Sequence, residues 1–99
     1  MSDLHVVGVL KANKGSEDLV ENALRSLVEP ARGEEGCISY DLYSSMSEIG
    51  TFITIETWRS QGDLDNHLGT THVQLALSAA GDHLAEPAGI HPLASLHGS

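Results

Sequence analysis

Apolar and polar residues alternate along the chain in a way that predicts four strands and three helical segments. Over residues 4–12, Leu4, Val6 and Leu10 point one way and Val7 and Val9 the other. That is a strand with apolar side chains on both faces. Asn13-Lys14-Gly15 predicts a turn, and Ser16 an N-cap, with Glu17 and Asp18 in the first helical turn. Val20, Ala23, Leu24, Leu27, Val28 and Ala31 then recur at helical spacing, with Pro30 expected to kink or end the helix. Cys37–Ser44 predicts a second strand, with Ile38, Tyr40 and Leu42 on one face and Ser39, Asp41 and Tyr43 on the other. Residues 45–50 connect it to the clearest strand, Thr51–Trp58, rich in β-branched and aromatic residues. Ser60 is placed to cap a short helix over 61–68. Thr70 or Thr71 can cap another over 72–80, with Gly81 as its stop. A last strand falls within 89–96, where Pro92 restricts it to an edge or a bulge. His97-Gly98-Ser99 is expected to be a frayed tail.

The order β-α-β-β-α(α)-β fits one α+β domain over residues 1–99. It has the ferredoxin-like form, a four-stranded antiparallel sheet with helices on one face. The opposite face, carrying Val7 and Val9, is then apolar and uncovered. Such a face predicts association, and packing two sheets face to face in a homodimer would close it.

Composition narrows the partners. The 99 residues carry 5 Lys+Arg against 14 Asp+Glu, a net charge of −9, which argues against nucleic acid as a partner. No stretch approaches the roughly 18 apolar residues that span a bilayer, so no membrane partner is expected. The N-terminal residues lack the pattern of a signal peptide, and the single Cys37 cannot form an intrachain disulfide, so a cytoplasmic protein is the default. Glu17, Asp18, Glu21, Glu29, Glu34 and Glu35 read as ordinary solvated acids.

Familiar chemical motifs are missing. There is no HExxH, no CxxC, no nucleotide-binding glycine fingerprint and no nucleophile elbow. His67 and His72 are five apart across a break at Gly69-Thr70, a spacing that does not mark a metal site. Cys37, in a strand, reads as a small packing residue. One constellation remains. Glu56 and Trp58 share a strand face with Phe52 and Thr54, Tyr40 lies on the partner strand, and His67 and His72 flank the following helix junction. A carboxylate among apolar strand positions, beside an indole and near imidazoles, can hold a small hydroxylated aromatic and take its proton. Each residue also has a packing explanation. Trp58 and Tyr40 can be core, Glu56 can pair with Arg59, Arg25 or a partner-chain residue, and His67 can cap a helix end or fill an interface. His5, His83, His91 and His97 fall in no constellation.

The stretches Glu35-Gly36-Cys37…Tyr40, Ile55-Glu56-Thr57-Trp58 and Leu64…His67-Leu68-Gly69-Thr70-Thr71-His72 resemble the antibiotic-biosynthesis monooxygenase-like family over residues 4–96. The resemblance implies a ferredoxin-like protomer whose homodimer forms an α+β barrel. It also implies cofactor-independent oxygenation of quinols, anthrones and related aromatics, using molecular oxygen and neither metal nor flavin. The quinol-oxidising branch is the nearest in pattern. Polyketide-oxidising members match at Trp58 but carry polar residues where this chain has Thr54 and Leu64. The haem-degrading branch differs at Gly8, His67 and Leu77. On this resemblance His67 or His72 would accept a phenolic proton, and Glu56 would orient a histidine or hold the helix pair in place. Trp58, Tyr40, Phe52 and Thr54 would line the pocket. Two other readings are a non-catalytic dimeric metabolite-binding or stress-associated protein and an isomerase of a phosphorylated sugar. The isomerase would need a basic pocket built from only Lys11, Lys14, Arg25, Arg32 and Arg59.

Overall fold

A computed structural model describes residues 3–97. Of the expected frayed tail, Gly98 and Ser99 lie outside the described residues. The chain runs β1 (Leu4–Lys11), α1 (Glu17–Arg32), β2 (Cys37–Ser44), β3 (Thr51–Trp58), α2 (Gln61–Leu68), α3 (Thr71–Ala80), a 3-10 turn (Gly81–His83) and β4 (Gly89–Leu93). All strand pairs are antiparallel, in the order β2-β3-β1-β4. This is the ferredoxin-like α+β arrangement the alternation predicts.

The helices cover one face of the sheet. Val6 and Leu10 of β1 and Phe52 and Trp58 of β3 pack there against Val20, Leu24, Leu27 and Ala31 of α1, with Leu64 and Val73 from the shorter helices. The opposite face carries Val7 across from Ile55 and Val9 across from Ile53, with Tyr43 beside Ile53. Ile55 and Tyr43 are about half exposed there, at 49% and 53%.

Several details depart from the expected pattern. Pro30 does not end α1, which continues to Arg32 before Gly33 caps it. A proline this close to the C-terminus removes a single intrahelical bond, and the buried Ala31 holds the last turn on the sheet. Gly81 ends α3 as expected, but it does so with helical angles and leads straight into the 3-10 turn. In β2 the register shifts between Cys37 and Ser39, so Cys37 faces Trp58 and Ser39 faces Thr57. This bulge turns Cys37 toward the core and leaves Ile38 54% exposed, not on the Tyr40 face. The last strand is shorter than the predicted 89–96, and it lies on the sheet edge, where Pro92 fits without breaking a ladder.

Candidate active site

Alternation on β3 directs Thr54, Glu56 and Trp58 to the helix-covered side, all three buried. Glu56 is 3% exposed, and both its carboxylate oxygens are used. Oε2 accepts from Thr54 Oγ1 at 2.7 Å, and Oε1 accepts from Trp58 Nε1 at 2.9 Å. Gly8 sits opposite Thr54 in the neighbouring strand. A Cβ at Gly8 would lie 2.3 Å from Thr54 Oγ1, so the missing side chain makes room for the hydroxyl that binds Glu56.

Two helix ends supply the imidazoles. His67 lies in the last turn of α2 and His72 in the first turn of α3. Thr70 fixes the junction: its hydroxyl donates to the His67 carbonyl at 2.7 Å and accepts from the Val73 N–H at 3.4 Å. His67 is buried, its ring centroid 4.5 Å from that of Trp58 and 5.6 Å from that of Tyr40.

The group that joins the two histidines is Glu34, which the sequence places among the solvated acids. Its side chain is only 13% exposed. One oxygen, Oε2, lies 2.7 Å from both His67 Nδ1 and His72 Nε2. An ionised carboxylate only accepts, so with Glu34 charged, His67 carries its proton on Nδ1 and leaves Nε2 free. Glu34 stands in the short turn between α1 and β2. Gly36, at φ +90°, reverses the chain there. The Arg59 N–H donates to the Gly36 carbonyl at 2.8 Å. The Asp63 carboxylate packs so close to Gly36 that a Cβ there would fall 2.3 Å from Asp63 Cγ. Asp63 in turn accepts two bonds from Arg59 and one from Ser60, which hold its carboxyl below the usual aspartate range.

The expected site residues therefore separate into two linked groups. Glu56 binds Trp58 and Thr54, while Glu34 binds His67 and His72. The expectation that Glu56 orients a histidine is corrected, since Glu34 occupies that place. The expected pairing of Glu56 with Arg59 or Arg25 is also absent, because those arginines bind Asp63 and Glu21. Tyr40 joins the two groups by packing on His67. Burial, with the charges of Glu56 and Glu34, pushes its phenol far above the ordinary value. Burial likewise raises the Cys37 thiol, with Glu34 and Glu56 adding to the effect, so this sulfur is no ready nucleophile. Phe52 stands apart from the histidines, in the wall of an open groove of about 430 Å³ between α1 and β2 that also touches Arg25, Val28, Arg32, Leu42 and Tyr43. No spacing rule could have found Glu34. The available signal was a glutamate two residues before a turn glycine, at the exit of an amphipathic helix.

A ferredoxin-like sheet whose helix-covered side buries two carboxylates, an indole and an imidazole defines a small α+β protein with proton-transfer groups inside it. The chain belongs to the antibiotic biosynthesis monooxygenase family, which matches residues 3–79. It is 38% identical over 79 residues to the "Putative monooxygenase Rv0793" of Mycobacterium tuberculosis, covering 76% of this chain and 77% of that protein. The solved structure of Rv0793 superposes with a TM-score of 0.88 at 30% identity, covering 99% of each chain. The protein PA3566 of Pseudomonas aeruginosa superposes with a TM-score of 0.86 at 32% identity, covering 97% of this chain and 96% of that one. The "Uncharacterized protein sll1783" of Synechocystis is 33% identical over 85 residues, or 86% of this chain, and the match spans only 58% of that protein's length. A monooxygenase-like function follows at the level of the family. No helix among the described residues is long and apolar enough to cross a membrane.

Proposed function

We propose that this protein is a cofactor-independent monooxygenase of a quinol, anthrone or related hydroxylated aromatic, working as a homodimer in the cytoplasm. The observation that carries the reading is the Glu34–His67 contact at 2.7 Å, with the imidazole packed at a tilt against Trp58. A carboxylate on Nδ1 fixes the ring and its tautomer, which leaves Nε2 as the proton acceptor. His67 takes the phenolic proton, and the substrate anion passes an electron to molecular oxygen. For a quinol the balance is one oxygen atom into a ring C–H position and the other released as water, with every electron supplied by the substrate. Trp58 and Tyr40 provide aromatic surface for the ring. Glu56 holds Trp58 and Thr54 in place. His72, at 28% side-chain exposure, is the member of the network nearest solvent. The uncovered sheet face with Val7, Val9, Ile53, Ile55 and Tyr43 supports pairing of two protomers into a barrel.

The test is oxygen uptake by purified protein with a panel of quinols, anthrones and catechols. His67→Ala should lower turnover by about 100-fold or more while the protein stays folded, the usual scale for a lost general base. Absence of uptake across the panel, or wild-type turnover in folded His67→Ala, overturns the reading. Light scattering checks the assembly: the 10.5 kDa chain should give about twice that mass, and Ile55→Asp should return it to a single chain.

A further inference from the structure

The neighbourhood of Glu34 is short of positive charge. Glu34 and Glu56 are both largely buried, and neither meets a Lys or Arg among the described residues. The partners of Glu56 are a hydroxyl and an indole N–H, and those of Glu34 are two imidazoles. The three described arginines pair elsewhere, Arg25 with Glu21, Arg32 with Asp41 and Glu29, and Arg59 with Asp63. Lys11 pairs with Glu48 and Glu86. Buried carboxylates without a fixed cation are costly, and a cation that can enter relieves that cost.

The donor set selects which cation. Glu34 Oε2, His67 Nδ1 and His72 Nε2 all lie within 4.8 Å of one another. Two imidazole nitrogens and one carboxylate oxygen suit first-row divalent ions such as Zn²⁺ and Co²⁺ far better than Mg²⁺ or Ca²⁺, which prefer oxygen alone. Each donor is braced. Gly36, gripped by Asp63 and Arg59, holds the turn of Glu34. Trp58 packs at a tilt against His67, and Thr70 caps the helix that carries His72. Such bracing is what a metal site needs to keep its ligands in place. We propose that Glu34, His67 and His72 form a binding site for one first-row divalent transition-metal ion per protomer. The ion takes the place of the two N–H groups that face Glu34, each imidazole tautomerising so that its proton moves to the other ring nitrogen, and solvent completes the coordination.

The site shares His67 with the proposed base, so its consequence for activity rests on that reading, although binding itself does not. An ion on Nδ1 leaves the imidazole proton on Nε2, where the acceptor was. The metal-loaded protein is then switched off and the metal-free protein active.

The experiment is calorimetric titration of untagged, chelator-treated, full-length protein with Zn²⁺, repeated with Co²⁺ while recording the visible ligand-field bands. The expected result is one ion per chain, with affinity falling at least about 100-fold in Glu34→Gln and in His72→Ala. Circular dichroism verifies the fold of each variant. If Glu34→Gln does not fold, the partly exposed His72→Ala carries the test alone. No binding, or binding that survives intact in a folded variant, overturns the proposal and assigns any residual affinity to surface histidines. Oxygen uptake with and without Zn²⁺ is read separately. Binding without any oxygenase activity refutes the proposed function and leaves the metal site standing, while activity without binding does the reverse.

Discussion

Glu56→Gln should leave the fold within about 1 kcal/mol of wild type, whereas Glu56→Ala should destabilise it by about 3–5 kcal/mol. The difference follows from which partners can reverse. The Trp58 indole can only donate, and it reaches Glu56 at 2.9 Å. The Thr54 hydroxyl, at 2.7 Å, can donate or accept. A glutamine that turns its carbonyl to Trp58 presents its amide to Thr54, and the hydroxyl rotates to accept. Both contacts survive as neutral bonds, each weaker by about 1 kcal/mol than a bond to a charged group. Removing a buried charge that has no cation partner offsets that loss. Alanine has no such remedy. It leaves a buried indole N–H without an acceptor, at about 1–3 kcal/mol, and opens a cavity worth about 2 kcal/mol more. Urea denaturation at neutral pH and one fixed protein concentration measures both variants against wild type. A loss of about 3 kcal/mol lowers the melting temperature of a domain this size by roughly 12 °C or more, so the two outcomes separate clearly. Equal destabilisation by glutamine and alanine would refute the reasoning, because the charge itself would then hold the strand, not the pattern of donors.

Gly8→Ala should cost about 1–3 kcal/mol, since the new methyl meets Thr54 Oγ1 at 2.3 Å and pushes it from Glu56. In a Thr54→Ala background the same change should cost less, and an unchanged cost in a denaturation cycle would show that the clash lies elsewhere. Tyr40→Phe should change how stability depends on alkaline pH. Its buried phenol titrates above the unfolded value in the native state, so wild-type stability is full below about pH 10 and declines above it as the unfolded chain ionises. The variant lacks that decline, and melting temperatures that fall in parallel for both proteins between about pH 8 and 11 would contradict it.

Strand alternation made most of the fold legible, because a residue's face on β1 or β3 is fixed by parity alone. Thr54, Glu56 and Trp58 could be placed together for that reason. Parity fails where a bulge inserts a residue, and this is why Ile38 turned outward and Cys37 inward. The helix caps at Ser60 and Thr70 were readable from side chains that accept the first free N–H groups. Glu34 was not readable. Its partners lie 33 and 38 residues away, and only the packing of α2 and α3 on the sheet brings them to it. Local sequence says that Glu34 follows a helix in a polar turn, which is also true of many solvated acids.

The electrostatics of the interior restrict what this site can hold more firmly than its shape does. Glu34 and Glu56 put negative charge on the sheet side of the helix junction, and the arginines are committed to Glu21, Glu29, Asp41 and Asp63. A phosphorylated sugar entering this region would bring further negative charge and find no guanidinium free to receive it, which weighs against the isomerase reading. The phenol of the proposed function would avoid that conflict, because it would enter uncharged and give its proton to an imidazole paired with a carboxylate. In the proposed reaction the same negative surroundings would raise the energy of the substrate anion and so favour its loss of an electron to oxygen.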